Sequence, residues 1–140
     1  MKVNNLTTKS SLPRIVQIEN HESGSGKLNV VSFEKLIPFE VKRIFYVSET
    51  ESGITRGEHS HKKCWQFLIP IKGTIEIVCH DKKKEHKYNL SNKSQGLVVP
   101  PKVWCEQHYK DKNSILLVLA SEEYDSEDYI HDFQEFLDLI

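Results

Sequence analysis

The segment Gly53-Ile54-Thr55-Arg56-Gly57-Glu58-His59-Ser60-His61-Lys62-Lys63-Cys64-Trp65-Gln66, followed by Gly73, is the part of the chain richest in reactive side chains. Alternate residues of an extended strand share a face, so His59 and His61 project together, with Arg56 and Gln66 close by in sequence. Two imidazoles aimed at one place are suited to moving protons, because their unperturbed pKa lies near neutrality and each serves as base or acid. Arg56 adds a fixed cation, able to hold a phosphate or steady an enolate oxygen. Tyr46, near the end of the preceding apolar run, can place a phenol in the same space or merely plug its mouth. Burying two histidines side by side costs desolvation that packing alone does not require, which disfavours a purely structural pair.

These residues need a frame, and the rest of the sequence supplies one. Short β-prone runs span Ile15 to Ile18, Leu28 to Phe33, Val41 to Val47, Trp65 to Ile71, Thr74 to His80, His86 to Leu90, Gly96 to Val99, Val103 to His108 and Ile115 to Ala120. Strands at this spacing point to an all-β sandwich, jelly roll or barrel. Thr74 to His80 begins with apolar and polar residues alternating, as in a half-buried strand, whereas Ile115 to Leu119 is apolar throughout and reads as central. Lys72-Gly73 and Asp81-Lys82-Lys83-Lys84 read as hairpin turns, the second a solvated loop tip. His21 to Gly26 reads as a flexible loop. From Asp125 the period changes: Tyr129, Ile130, Phe133, Phe136, Leu137 and Ile140 follow helical spacing behind an acidic first turn. This predicts a C-terminal helix over about 126–139, packed on the β-body.

With 140 residues and 16.3 kDa, one domain spanning 1–140 is expected. Nineteen basic and 20 acidic residues give a formal net charge of −1, so no global field argues for nucleic acid or a membrane surface. An anionic partner must be met by local charge. Cys64, Cys79 and Cys105 fit neither a metal knuckle nor a paired disulfide framework, and free buried thiols are expected. No secretory leader or membrane-length apolar stretch is visible, so the chain reads as cytoplasmic.

The spacing resembles the first cupin motif, Gly-x5-His-x-His-x4-Glu-x6-Gly, with Gly53, His59, His61 and Gly73 in register and Gln66 where the motif has Glu. A second motif survives as Gly96-Leu97-Val98-Val99-Pro100-Pro101-Lys102-Val103-Trp104-Cys105-Glu106, and no histidine occupies the third-ligand place near Cys105 or Glu106. Losing both a carboxylate and an imidazole weakens metal binding heavily, so a metal-free pocket with no cofactor is expected.

From about Val41 to Leu137 the chain resembles the metal-free cupin dTDP-sugar 3,4-ketoisomerases. The resemblance rests on Arg56-Gly57-Glu58-His59-Ser60-His61-Lys62-Lys63, on Gly96 to Trp104, and on Leu116 to Ile130. The family usually has Ala where this chain has Ser60, and Arg where it has His131. The resemblance implies a double-stranded β-helix (jelly roll) in a cytoplasmic homodimer that exchanges N-terminal strands, about residues 12–33. It implies a dTDP-linked 4-keto-6-deoxy sugar in the barrel mouth, with the histidine pair on His59 and His61, the motif arginine on Arg56 and the pocket tyrosine on Tyr46. Isomerisation then passes through an enediol, with His59 carrying the carbon proton and His61 relaying between oxygens, or with the two roles reversed. Arg14, Lys62, Gln66, Trp104 and His108 are the expected substrate contacts. Arg14 and His108 are also the candidates for choosing between galacto and gluco products, with galacto favoured. A 3-keto product would feed a pyridoxal-phosphate aminotransferase. The alternatives are a dTDP-sugar epimerase of the same fold, which pairs its histidine base with a carboxylate and adds a tyrosine acid, and a non-catalytic sugar-sensing cupin. A metal-dependent cupin stands third.

Overall fold

Ile75, Ile77 and Cys79 are fully buried, while the intervening Glu76, Val78 and His80 keep partial exposure. The two-residue period turns one face of each strand toward a common interior. The computed structural model describes residues 10–139.

Two five-stranded antiparallel sheets result. The first runs β1 (Arg14–Gln17), β9 (Gln95–Val99), β6 (Gln66–Lys72), β11 (Ile115–Ala120) and β4 (Arg43–Val47). The second runs β12 (Tyr129–Ile130), β5 (Thr55–His61), β10 (Trp104–Tyr109), β7 (Ile75–His80) and β8 (Glu85–Leu90). Leu68, Leu97, Leu116 and Val118 from the first sheet meet Ile75, Ile77 and Cys79 from the second in one core. Each fully buried aliphatic side chain contributes about 1.5–3 kcal/mol. The first sheet also buries its outer face, where Val16, Phe67, Val98 and Leu119 lie under Leu36, Ile37 and Phe39. Leu36 ends the one-turn helix α1 (Phe33–Leu36). This is the expected all-β jelly roll with a short C-terminal helix, and β11 is flanked on both sides, as its unbroken apolar run predicts.

Three local readings change. His21 to Gly26 is not a loose loop, because it lies in the hairpin of β2 (Glu19–Ser23) and β3 (Gly26–Val30), held by a backbone ladder with every residue of β2 exposed. Asp81 to Lys84 does close a hairpin, but Lys72-Gly73 instead carries the chain from the first sheet to the second. The helix expected over 126–139 shrinks to α2 (Phe133–Asp138), capped by Asp132. Before it, Ser126–Asp128 form a 3-10 turn and Tyr129–Ile130 pair with His61 and Ser60. The open edge of β5 takes up those backbone groups, and ladder pairing prevails over helical period. Ile140 lies outside the described residues. Among the described residues no helix is long and apolar enough to cross a membrane.

Candidate active site

Arg56 and His59 are three residues apart, so a regular strand would turn them to opposite faces. On β5, Arg56 faces Gln107, Gly57 faces Glu106 and His59 faces Cys105, leaving Glu58 unpaired. Gly57 and Glu58 take φ of 84° and 56°, and this bulge re-aims the strand. Arg56 and His59 thereby share the barrel interior. Glycine is required here: a Cβ at Gly57 would stand 3.0 Å from the Cys105 carbonyl oxygen.

Between the β4 edge of one sheet and the β5–β12 edge of the other opens a cavity of about 480 Å³. Phe45, Val47, Arg56, Glu58, His59, Gln66, Gln107, Tyr129 and His131 are among its walls. A larger hollow of about 630 Å³, lined by Lys42, Lys63, Glu122, Glu123, Tyr124 and Asp125, holds neither histidine of the pair.

His59 lines the cavity and His61 sits against it, their rings edge to face at 4.9 Å. The His59 Nδ1–H donates to the Gly57 carbonyl at 3.0 Å, and the His61 Nδ1–H donates to Asp128 Oδ2 at 2.9 Å. A carbonyl and a carboxylate only accept, so each neutral ring carries its hydrogen on Nδ1 and keeps a lone pair on Nε2. The buried Nε2 of His61 has no partner. Tyr129 packs on both rings, at 4.9 Å from His59 and 4.4 Å from His61. His131 stacks on Tyr129 at 5.7 Å and lies 5.8 Å from His59.

Burial, reinforced by the neighbouring His61, lowers the His59 pKa from 6.5 to about 4. Burial also lowers that of His61, opposed by Asp128 and aided by Arg43. Both rings are therefore neutral bases at neutral pH. His61, Cys64 and Asp128, all buried, bring one nitrogen, one sulfur and one oxygen within 4.8 Å of one another, a donor set that can hold a metal ion. At the expected third-ligand place, Cys105 faces inward opposite His59 and Glu106 faces outward. The three cysteines are free and buried.

Of the residues singled out from sequence, Arg56, His59, His61 and Gln66 come together. Tyr46 does not: Phe45 and Val47 take the inward positions of β4, leaving Tyr46 68% exposed on the other face. Strand parity decides this, and Arg43-Ile44-Phe45-Tyr46-Val47 is too apolar on both faces to reveal it. Arg14 pairs with Val98 on the outer face of the first sheet. Lys62 follows His61 outward into a groove with Trp65, Pro100 and Pro101. Trp104 and His108 stand on the outer face of β10, each bonded to Glu106 at 3.1 Å. Asp128, Tyr129, His131 and Gln107 were not read as site residues, three of them because the helical reading of 126–131 gives no strand beside β5. The β-prone Tyr129-Ile130 pair was the available signal.

The FdtA family model, described as WxcM-like, C-terminal, matches residues 10–140. The TDP-4-oxo-6-deoxy-alpha-D-glucose-3,4-oxoisomerase of Aneurinibacillus thermoaerophilus is 32% identical over 123 residues, 88% of each chain. A 3,4-ketoisomerase from Helicobacter canadensis superposes with a TM-score of 0.86 at 35% identity, covering 90% of this chain and 95% of its own. QdtA, a sugar 3,4-ketoisomerase from Thermoanaerobacterium thermosaccharolyticum solved with TDP, gives the same TM-score and identity over 90% and 92%. With a paired-histidine cavity on this shared fold, the chain belongs to the FdtA family of cupin-fold sugar 3,4-ketoisomerases and is an isomerase.

Proposed function

We propose that the chain converts dTDP-4-keto-6-deoxy-D-glucose to the dTDP-3-keto-6-deoxyhexose. The observation that carries this is the histidine pair, each ring anchored through Nδ1 and each keeping a free Nε2. The ketone at carbon 4 acidifies the hydrogen on carbon 3. His59 Nε2 removes it, an enediol forms, His61 passes a proton between the two oxygens, and carbon 4 is reprotonated. Arg56 steadies the developing oxyanion or the diphosphate. The curated relative is named for a TDP-4-oxo-6-deoxyglucose substrate, and QdtA was solved with TDP, which supports the substrate class.

The hydrogen on carbon 3 of the substrate lies on the same ring face as that on carbon 4 of a galacto product. One base can therefore serve both carbons, and the galacto product follows. Arg14, which lies in the N-terminal segment expected to exchange, and His108 stay the candidates for setting the alternative gluco outcome, although neither lines the cavity of the single chain. The exposed β2–β3 hairpin suits an arm exchanged in a homodimer within the cytoplasm, and a 3-keto product suits a pyridoxal-phosphate aminotransferase downstream. NMR of the product formed from dTDP-4-keto-6-deoxyglucose tests the reaction and its stereochemistry together. A 3-keto galacto sugar is expected, and unchanged substrate overturns the proposal.

One observation favours a second reading. The His61–Asp128 pair and the adjacent Tyr129 are features of the epimerase alternative. Incubation in deuterated water separates the two: a 3-keto product with hydrogen or deuterium newly placed on carbon 4 and carbon 5 unexchanged supports isomerisation, and loss of hydrogen from carbon 5 supports epimerisation.

A further inference from the structure

We infer that Asp128 is a positioning residue of the isomerase: its carboxylate locks His61 in the Nδ1–H tautomer and stabilises the imidazolium His61 becomes while carrying a proton between sugar oxygens. The inference rests on the isomerase reading and extends it to a residue outside the cavity wall.

Asp128 is 4% exposed. A carboxylate taken out of water costs several kcal/mol unless its oxygens are fully engaged. Here Oδ2 accepts from His61 Nδ1 at 2.9 Å and Oδ1 accepts from the Lys63 backbone N–H at 2.8 Å. The Asp128 carbonyl accepts from the Lys62 N–H at 2.9 Å, and the next two residues pair with His61 and Ser60. The carboxylate is thus tied through Oδ2 to the imidazole at the end of β5 and through Oδ1 to the backbone two residues beyond it. The other end of that imidazole, Nε2, is buried without a partner. Such an atom costs free energy in the resting protein and is retained where a ligand group completes it. His59 differs, because its Nδ1 meets only the neutral Gly57 carbonyl. The arrangement suits His61 to holding a proton briefly, with the charge compensated 2.9 Å away.

Asp128→Asn offers one carbonyl and one amide to the two N–H donors that Asp128 now satisfies. With the amide turned to His61, Nδ1 must accept, the ring hydrogen moves to Nε2, and the relay loses its lone pair. The expected result is a kcat lower by about 10²-fold or more, as for a lost acid–base group, with KM for the sugar nucleotide within about threefold. Nitrogen-15 NMR of labelled histidine should show His61 protonated on Nδ1 in the wild type and on Nε2 in the variant. Asp128→Glu, which keeps an acceptor, should recover part of kcat. Unchanged kcat in Asp128→Asn, or a wild-type His61 protonated on Nε2, overturns the inference. The second measurement does not require the variant to fold. A wild type that shows the Nδ1–H tautomer but no isomerisation overturns the reading beneath it instead.

Discussion

The two faces of β5 and β10 carry similar chemistry and use it in opposite ways. Inside, Arg56, His59, His61 and Gln107 border a cavity, and the buried His61 Nε2 has no hydrogen bond. Outside, Trp104 Nε1 donates to Glu106, Glu106 holds His108 Nε2 at 3.1 Å, and His108 Nδ1 meets the Thr55 hydroxyl at 3.0 Å. Both faces contain histidine and glutamate or glutamine, so residue type does not distinguish them. The outer Trp104–Glu106–His108–Thr55 chain completes its own bonds, whereas His61 Nε2, against the cavity, leaves a position for something that enters. Unfinished hydrogen bonding marks the reactive face where it borders a cavity, as at His61 Nε2, and not where it is sealed in packing, as at the outward Ser60 Oγ.

Substitutions can break this contrast. His59→Asn removes the base and should lower kcat by about 10²- to 10⁴-fold in a product assay. A fall below tenfold would mean that His59 is not the carbon base. Gly57→Ala places a side chain at φ 84° and 3.0 Å from the Cys105 carbonyl oxygen. It should cost about 1–3 kcal/mol in denaturant unfolding and, by turning Arg56 or His59 off the shared face, about 10²-fold in kcat. Wild-type activity in that variant would show that the bulge does not align the two residues.

Acidification sharpens the contrast next. With the His59 pKa lowered from 6.5 to about 4, kcat/KM should stay flat through neutrality and fall about tenfold per pH unit below about 4. An acid limb centred near 6.5 would contradict the burial of the base. Stability follows with a definite sign: as pH falls through 6.5 the unfolded chain takes up a proton that folded His59 refuses. The fold therefore loses stability progressively from 6.5 down to about 4. Smallest of all, Glu106→Gln on the outer face should cost about 1 kcal/mol of stability and leave kcat within about threefold. A large loss of kcat there would join the outer chain to the reaction.

The strand succession was legible because a half-buried strand alternates and a central one does not, as in Ile75 to Cys79 and Ile115 to Ala120. His59 and His61 were legible because two-residue spacing survives any register. Arg56 was right by proximity, and only the bulge explains why. The misplaced residues share one cause: a strand whose two faces look alike does not say which one is inside, so Tyr46, Trp104 and His108 fell outward. Residues 126–131 departed from the helical reading differently, because the helical period there competed with the open edge of β5, while Phe133–Asp138 kept it.

Local sequence thus settled most strands of the two sheets, the histidine pair and the free thiols, since these depend on residue chemistry and on spacings within one strand. Tertiary structure decided which faces turn inward, the bulge that unites Arg56 with His59, and the meeting of His61 with Asp128 across 67 positions. Those outcomes depend on which backbone groups find partners across the fold, information that no single segment carries.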